Sequence, residues 1–297
     1  HTPTCIADTT HHTGEGPLWH PEENRLFWVD IPPGRLYSYD PATKSHSLAY
    51  EFPDVPLGGF TIEQDGALLC FTHSAVLRYV PGSDTATQVA SIDADTRFND
   101  VIADPKGRVF CGTMPGETEL GDLYRLDPDG QSQVVINDVD ISNGMGFSPD
   151  LSRFYFTESN TNRIFVYDYT AETGHISNGR ALVETPPDGG IPDGMTVDSA
   201  GNIWSARWNG SKIVQYTEAG ETLQQVSFPA RKVSAVTFGG SNYTELYVTT
   251  ALNDNSRDRE AAELAVYFEY RTFLRLERLN IDQLSTIHFA LFPPLLE

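Results

Sequence analysis

The amino-acid sequence predicts an all-β fold, a six-bladed β-propeller with a central metal channel. Two observations carry this prediction. Short apolar and aromatic runs alternate with turn residues along most of the chain, and the runs recur as a unit at intervals of 41 to 50 residues. A four-stranded propeller blade typically occupies ~40–50 residues. We therefore expect residues 1–297 to form a single propeller domain, with 257–297 as an atypical final blade or tail.

The runs indicate strands because β-branched and aromatic side chains pack well on a pleated surface, while Gly, Pro, Asp and Asn supply tight reversals. No helical pattern stands out before residue 255, but the segment after Ser256 lacks glycine and has a composition that suits a helix. Propellers commonly close with a terminal strand, and we expect residues near 4–9 to supply it. A two-sheet sandwich is the structural alternative, although it does not require so regular a repeat.

The repeat places one residue of each unit at the same phase, at the start of the first strand. First strands line the channel of a propeller, so these residues should stand at nearly equal height around one axis. Two carboxylates and two carboxamides there would form an all-oxygen pocket, which hard divalent cations prefer. Ca²⁺ is the expected ion, with Zn²⁺, Mn²⁺, Fe²⁺ and Mg²⁺ as alternatives. The six residues are Glu15, Gly58, Asn99, Asn143, Asp193 and Ser234.

The alternative for each of these polar residues is a turn residue that bonds its own backbone. Four polar groups at one phase are harder to explain in that way. Burying Glu15 beside Asp193 would be costly unless a cation or protons neutralised them. Gly58, on the adjacent blade, is interpreted as leaving space where a ligand could enter the ring.

The charge balance excludes several classes of function. With 41 acidic against 20 basic residues the net charge is −21, which argues against a nucleic-acid binder. No run approaches the ~20 apolar residues of a membrane-spanning helix. The first ten residues show no secretory leader, and three cysteines without a CxxC motif favour a reducing compartment. We therefore expect a cytoplasmic protein of unassigned oligomeric state, and we assign no role to the loop residues His11 and His12.

Five short segments resemble the signature segments of the SMP-30/gluconolactonase/regucalcin family, in order and at matching spacing over about residues 10–255. They are GEGP at 14–17, RFND at 97–100, CGTM at 111–114, ISNGM at 141–145 and IPDGM at 191–195. The resemblance implies a six-bladed propeller with one divalent metal in its channel, and sugar-lactone hydrolysis in many members. Two features depart from the family pattern: Val101 follows RFND where Gly is usual, and the final blade lacks the usual closing strand.

Carried over by motif, the resemblance implies a role for six residues. The metal ligands would be Glu15, Asn143 and Asp193. Because Asp193 would touch both the metal and a water, we expect it also to be the catalytic general base. Arg97 and Asn99 would bind the substrate, and the acidic residue after GTM, Glu117, would contact it.

The expected activity is metal-dependent hydrolysis of a small sugar lactone to its aldonic acid, as in a gluconolactonase. A non-catalytic calcium-binding propeller with a regulatory role is one alternative. A metal-dependent esterase or phosphotriesterase acting on other substrates is another. The absence of a GxSxG motif argues against a serine esterase.

Overall fold

A computed structural model describes residues 3–94, 96–252, 265–271 and 289–290, and the regular structure in these ranges is β-strand throughout. No helix in these ranges is long and apolar enough to cross a membrane. The strands, in chain order, are β1 (Thr4–Thr9), β2 (Gly14–His20), β3 (Arg25–Asp30), β4 (Arg35–Asp40), β5 (Ser45–Glu51), β6 (Gly59–Glu63), β7 (Leu68–Phe71), β8 (Ala75–Tyr79), β9 (Ala86–Ser91), β10 (Phe98–Ala103), β11 (Val109–Thr113), β12 (Gly121–Leu126), β13 (Ser132–Val139), β14 (Ser142–Phe147), β15 (Arg153–Glu158), β16 (Arg163–Thr170), β17 (His175–Glu184), β18 (Ile191–Val197), β19 (Ile203–Trp208), β20 (Lys212–Tyr216), β21 (Thr222–Ser227), β22 (Val233–Gly239), β23 (Glu245–Thr250), β24 (Ala265–Arg271) and β25 (Phe289–Ala290).

Consecutive strands pair antiparallel to form five sheets, which we call blades 1 to 5. They begin at β2, β6, β10, β14 and β18, and each contains four consecutive strands. The two-residue strand β25 adds in parallel to β6 of blade 2. Five blades, instead of six, are thus built from consecutive strands alone. A further sheet, here the closing sheet, has the order β22, β23, β24 and β1.

The closing sheet joins the two ends of the chain. Strand β1 pairs antiparallel with β24, so residues 4–9 provide its outer strand as the sequence predicted. Strand β24 corrects the helical interpretation of this part of the tail, because pairing with β23 on one side and β1 on the other satisfies its backbone groups. The other residues of 257–297, apart from β25, lie outside the described residues.

The first strands of the six sheets contact one another in a closed ring, in the order β2, β6, β10, β14, β18 and β22. A cavity of about 80 Å³ is lined by residues of all six strands. Buried apolar clusters fill the space between each pair of neighbouring sheets around the ring. The predicted all-β class and propeller arrangement are therefore confirmed, and the ring brings one end of each first strand close to the axis.

Gly58 has a different role from the predicted one. It immediately precedes β6, and a Cβ atom at this position would lie 2.1 Å from the carbonyl oxygen of Phe98. Only glycine permits so close an approach of the two backbones. The interpretation of Gly58 as an entrance into the ring is therefore wrong, because the neighbouring strand occupies that space.

Candidate functional site

Four of the predicted site residues lie at the same end of four different first strands. Glu15 is the second residue of β2, Asn99 of β10 and Asn143 of β14, while Asp193 is the third residue of β18. Glu15, Asn143 and Asp193 are 8%, 6% and 5% exposed. The repeat phase thus predicted correctly that these side chains occupy equivalent positions around the ring.

A β-bulge interrupts the strand pairing at each of these positions. The register shifts between Glu15 and Leu18, between Phe98 and Val101, between Ser142 and Met145, and between Pro192 and Met195. A bulge places an extra residue in one strand and re-aims its side chain. The short polar segments of the sequence therefore mark the points where the first strands leave the regular pleat.

Glu15 is a buried carboxylate with few donors. Its Oε2 accepts a hydrogen bond of 3.1 Å from the backbone N–H of Gly16. Burial raises the pKa of Glu15 well above its ordinary value, and the negative charges of Asp193 and Asp100 raise it further. The Gly16 N–H and the positive charge of Arg97 offset these effects only in part. A nearby positive charge would therefore stabilise the ionised form of Glu15.

Asp193 has a similar environment. Burial raises its pKa well above the ordinary range, and the charge of Asp100 adds to this. A hydrogen bond from the side chain of Asn143, the N–H of Gly194 and the charge of Arg207 act in the opposite direction. Two carboxylates, from first strands that only β22 separates in the ring, thus lie in one buried, negatively charged region.

The substrate-binding pair predicted by resemblance is held together by hydrogen bonds. Arg97 Nη1 donates to Asn99 Oδ1 and to the carbonyl oxygen of Phe98, both at 2.9 Å. Asn99 Nδ2 donates to the carbonyl oxygen of Ser142 at 2.8 Å. Burial lowers the pKa of Arg97, and the charge of Glu15 partly offsets this effect, so the guanidinium lies within electrostatic reach of the carboxylates.

Glu117 is not brought into this region. It lies on the exposed loop between β11 and β12. It lines a separate cleft of about 540 Å³ formed mainly by its own loop and Thr96. Its assignment as a substrate contact stays a prediction from the motif.

Sequence reasoning missed Asp100, which lines the central cavity. Burial raises its pKa to about 6, although Oδ1 accepts a 2.8 Å hydrogen bond from the N–H of Val101. In a regular strand, successive side chains point to opposite faces, so Asp100 would point away from the face that Asn99 occupies. The β-bulge between Phe98 and Val101 interrupts this alternation. Val101 stands where the family usually has Gly, and packing explains this difference. Its side chain lies in the apolar core between blades 2 and 3.

Arg207 is a second residue that the sequence did not reveal. It is fully buried on β19, and Nη2 donates to the hydroxyl of Tyr216 at 2.5 Å. Within the described residues its Nε and Nη1 have no hydrogen-bond partner. Its charge lowers the pKa of Asp193, so it serves as a buried counter-charge behind the carboxylates. An Arg in a strand-like run carries no signal of burial by itself.

The donor chemistry of this region fits a hard divalent cation. Glu15 and Asp193 contribute carboxylate oxygens and Asn143 contributes an amide oxygen, the ligand types that Ca²⁺ and Mg²⁺ prefer. In the described part of the chain, no three His, Cys, Asp or Glu side chains are grouped closely enough to hold an ion by themselves. The amide is therefore an essential member of the set, and a bound cation would relieve the repulsion that raises the two carboxylate pKa values.

Relatives with similar sequences cover most of the chain. A protein named pentonolactonase XacC from Haloferax volcanii is 49% identical over 253 residues, which are 85% of this chain and 86% of that protein. Regucalcin from Oryctolagus cuniculus is 34% identical over 258 residues, covering 83% of this chain and 86% of its own.

The fold also matches a solved structure. The crystal structure of a calcium-binding protein, regucalcin, from Agrobacterium tumefaciens superposes with a TM-score of 0.84 at 23% identity, covering 91% of this chain and 92% of that one. At this identity the likeness concerns the fold alone. Residues 13–252 match the family described as the SMP-30/gluconolactonase/LRE-like region. The chain belongs to this family.

Proposed function

We propose that this chain is a metal-dependent lactonase that hydrolyses a sugar lactone to the corresponding aldonic acid. The observation that carries the proposal is that Asp193 interacts with both Glu15 and Asn143, which come from two other sheets, while Arg97 interacts with Glu15 and Asn99. The 49% identity to a protein named a pentonolactonase supports the reaction class and makes pentonolactones the first substrates to test.

The proposal includes the architecture around the site. We count the closing sheet as a sixth blade and treat residues 1–297 as one domain. The closed ring of first strands and the pairing of β1 with β24 support this interpretation. One divalent cation, Ca²⁺ first among the candidates, would be held by Glu15, Asn143 and Asp193.

A bound cation would polarise the lactone carbonyl and lower the pKa of water. Asp193 acts as the general base: its carboxylate takes a proton from water as the water oxygen bonds to the carbonyl carbon. The ring C–O bond then breaks, and Asp193 returns the proton to the departing ring oxygen. One water is consumed, and the products are a carboxylic acid and a free hydroxyl on the opened chain.

Arg97 and Asn99 orient the substrate. Arg97 uses only Nη1 in its hydrogen bonds to Asn99 and Phe98, which leaves the other N–H groups of its planar fork to engage lactone oxygens. Asn99 Nδ2 has a second proton beyond the one donated to Ser142. We retain Glu117 as a substrate-contacting acid on the strength of the motif alone.

The test is a panel of pentono- and hexonolactones, followed by acid release. Each assay is run after chelation and again after adding back Ca²⁺, Mn²⁺, Zn²⁺, Fe²⁺ or Mg²⁺. We expect turnover that disappears on chelation and returns with at least one cation. Cation binding without turnover of any lactone would instead support the non-catalytic calcium-binding alternative. Faster turnover of simple esters or phosphotriesters than of lactones would support the esterase alternative.

A further inference from the structure

Ser159 connects two of the proposed cation ligands although it belongs to neither strand that carries them. It directly follows β15 of blade 4 and is 4% exposed. Its Oγ lies 2.7 Å from the carbonyl oxygen of Pro192, the residue before Asp193, and 3.1 Å from the side-chain amide of Asn143. One buried hydroxyl therefore contacts both the amide ligand of blade 4 and the strand that carries Asp193 in blade 5.

The Ser159 hydroxyl has a single proton, and this determines the orientation of the Asn143 side-chain amide. A serine hydroxyl has one proton to donate, and the carbonyl oxygen of Pro192 can only accept. The hydroxyl proton is therefore used towards Pro192, and towards Asn143 the Oγ must accept. The Asn143 atom at 3.1 Å is consequently the Nδ2 donor, whichever way the planar amide is drawn.

The orientation matters because the two ends of an amide have opposite chemistry. With Nδ2 held by Ser159, Oδ1 points away from Ser159, and only this oxygen can ligate a cation. The second Nδ2 proton is donated to the Asp193 carboxylate, so a flipped amide would turn Oδ1 towards both Ser159 and Asp193 and leave only N–H groups for a cation. We infer that Ser159 is a positioning residue that, together with this hydrogen bond to Asp193, fixes the flip of Asn143 so that Oδ1 is available to a divalent cation.

This inference rests on the proposed cation site. It assigns Ser159 a function through Asn143, with no contact to substrate. Outer-shell partners of ligands commonly change metal affinity by about 10–100-fold when they are removed. Loss of the Ser159 hydroxyl should therefore weaken cation binding without unfolding the protein.

The experiment titrates the full chain with Ca²⁺ and, separately, with Mn²⁺ by calorimetry. Ser159→Ala removes the hydroxyl, and Ser159→Thr retains one. Thr157→Val is the matched control, because Thr157 lies two residues earlier on β15, is fully buried, and its hydroxyl has no partner among the described residues. We expect about tenfold weaker binding for Ser159→Ala, recovery of at least part of that loss in Ser159→Thr, and wild-type affinity for Thr157→Val.

A second background separates orientation of the amide from general anchoring of the strand. In Asn143→Asp both terminal atoms are oxygens, so no flip needs to be specified. The Ser159 proton still faces Pro192, and a lone pair of Oγ then faces a carboxylate. In this background Ser159→Ala should lose no affinity, or gain some, so that the double-mutant cycle shows strong coupling.

The outcomes distinguish this inference from the proposed function. If the wild-type protein binds no divalent cation, both are overturned. If it binds one and Ser159→Ala binds equally well, only the role of Ser159 is overturned. An equal loss for Thr157→Val, or the same fold-loss from Ser159→Ala in the Asn143→Asp background, would also overturn it. If Ser159→Ala does not fold, Ser159→Cys replaces it in both backgrounds, because the thiol is close in size and only a weak donor and acceptor. Wild-type cation affinity in Ser159→Cys would then overturn the role of Ser159.

Discussion

Arg97 Nη1 donates a 2.9 Å hydrogen bond to Asn99 Oδ1, and the same amide donates through Nδ2 to the backbone of the next blade. Asn99 thereby ties a partly buried guanidinium to the strand that carries Asn143. The arrangement holds the remaining N–H groups of Arg97 near the carboxylates without neutralising them by a direct ion pair.

This relationship predicts a defect in substrate binding for Arg97→Ala. A hydrogen bond to a charged group contributes about 2 kcal/mol, so KM for a lactone substrate should rise about thirtyfold. Arg97→Lys keeps the charge but loses the fork, and it should recover only part of the loss. Steady-state kinetics would measure both, with the exposed Arg180→Ala as control. An unchanged KM for every lactone in Arg97→Ala would contradict the binding role.

Asp193→Asn should lower kcat strongly, because an amide cannot take the proton of the attacking water. General-base catalysis contributes about 10²–10⁴-fold, and we expect a loss in this range. Asp188→Asn, which changes an exposed acid five residues earlier, is the matched control and should keep the wild-type rate. Since Asp193 is also a proposed ligand, the rate is measured at saturating cation. Full activity of Asp193→Asn would show that another group is the base.

The lowered pKa of Asp30 predicts how the free energy of unfolding depends on pH. Burial alone would raise its pKa, but a hydrogen bond from His11 and the backbone N–H groups of Thr13 and His12 outweigh burial and lower it. His11, a loop residue to which the sequence assigned no role, is buried, and its Nε2 accepts a 3.0 Å hydrogen bond from Trp28 Nε1.

Because the folded-state pKa of Asp30 lies below its unfolded value of 3.8, its stabilisation is present above that pH. It is lost as the pH falls through the lower folded-state value. Asp30→Asn should therefore reduce the free energy of unfolding by about 2 kcal/mol at pH 7. The two proteins should converge in stability as the pH falls below about 4. Urea denaturation at a series of pH values tests this, and a constant difference down to pH 3 would contradict it.

Gly58→Ala should destabilise the fold, since the added Cβ would lie 2.1 Å from the carbonyl oxygen of Phe98 and force β6 and β10 apart. Overpacking of this kind typically costs about 1–3 kcal/mol, and a backbone contact cannot yield as a side chain can. Gly116→Ala is the control, because a Cβ there meets only Thr96 Cγ2 at 3.5 Å and the carbonyl oxygen of Glu119 at 3.7 Å. Thermal unfolding of the two variants measures the difference. Equal melting temperatures would show that the ring tolerates the side chain.

The fold class, and the shared strand position of four predicted site residues, were predictable from local pattern. The repeat of apolar runs marked the blades, and the phase of Glu15, Asn99, Asn143 and Asp193 marked one end of the first strands. This succeeded because a propeller repeats one supersecondary unit around an axis, so equal positions in the repeat become equal positions in space. The outer strand from residues 4–9 followed from the need to cover an open sheet edge.

The pattern did not reveal Asp100, Ser159 or Arg207. Asp100 lines the cavity because a bulge breaks alternation, and a bulge depends on pairing with the neighbouring strand. Ser159 matters because its hydroxyl reaches a carbonyl 33 residues away on another blade. Arg207 is buried beside Tyr216 and the backbone of Gly190 and Gly210, which adjoin it only when β18, β19 and β20 pair.

The amino-acid sequence alone determined the first three strands of blades 1 to 5, where those blades begin, and which polar groups share a position along the first strands. Tertiary structure alone decided which of those groups are buried together, which way the Asn143 amide faces, and why Gly58 is a contact and not an opening. The physical reason is that strand formation and repeat phase are local properties of the chain. Burial, charge repulsion and hydrogen-bond orientation arise between blades, where residues distant in sequence first meet.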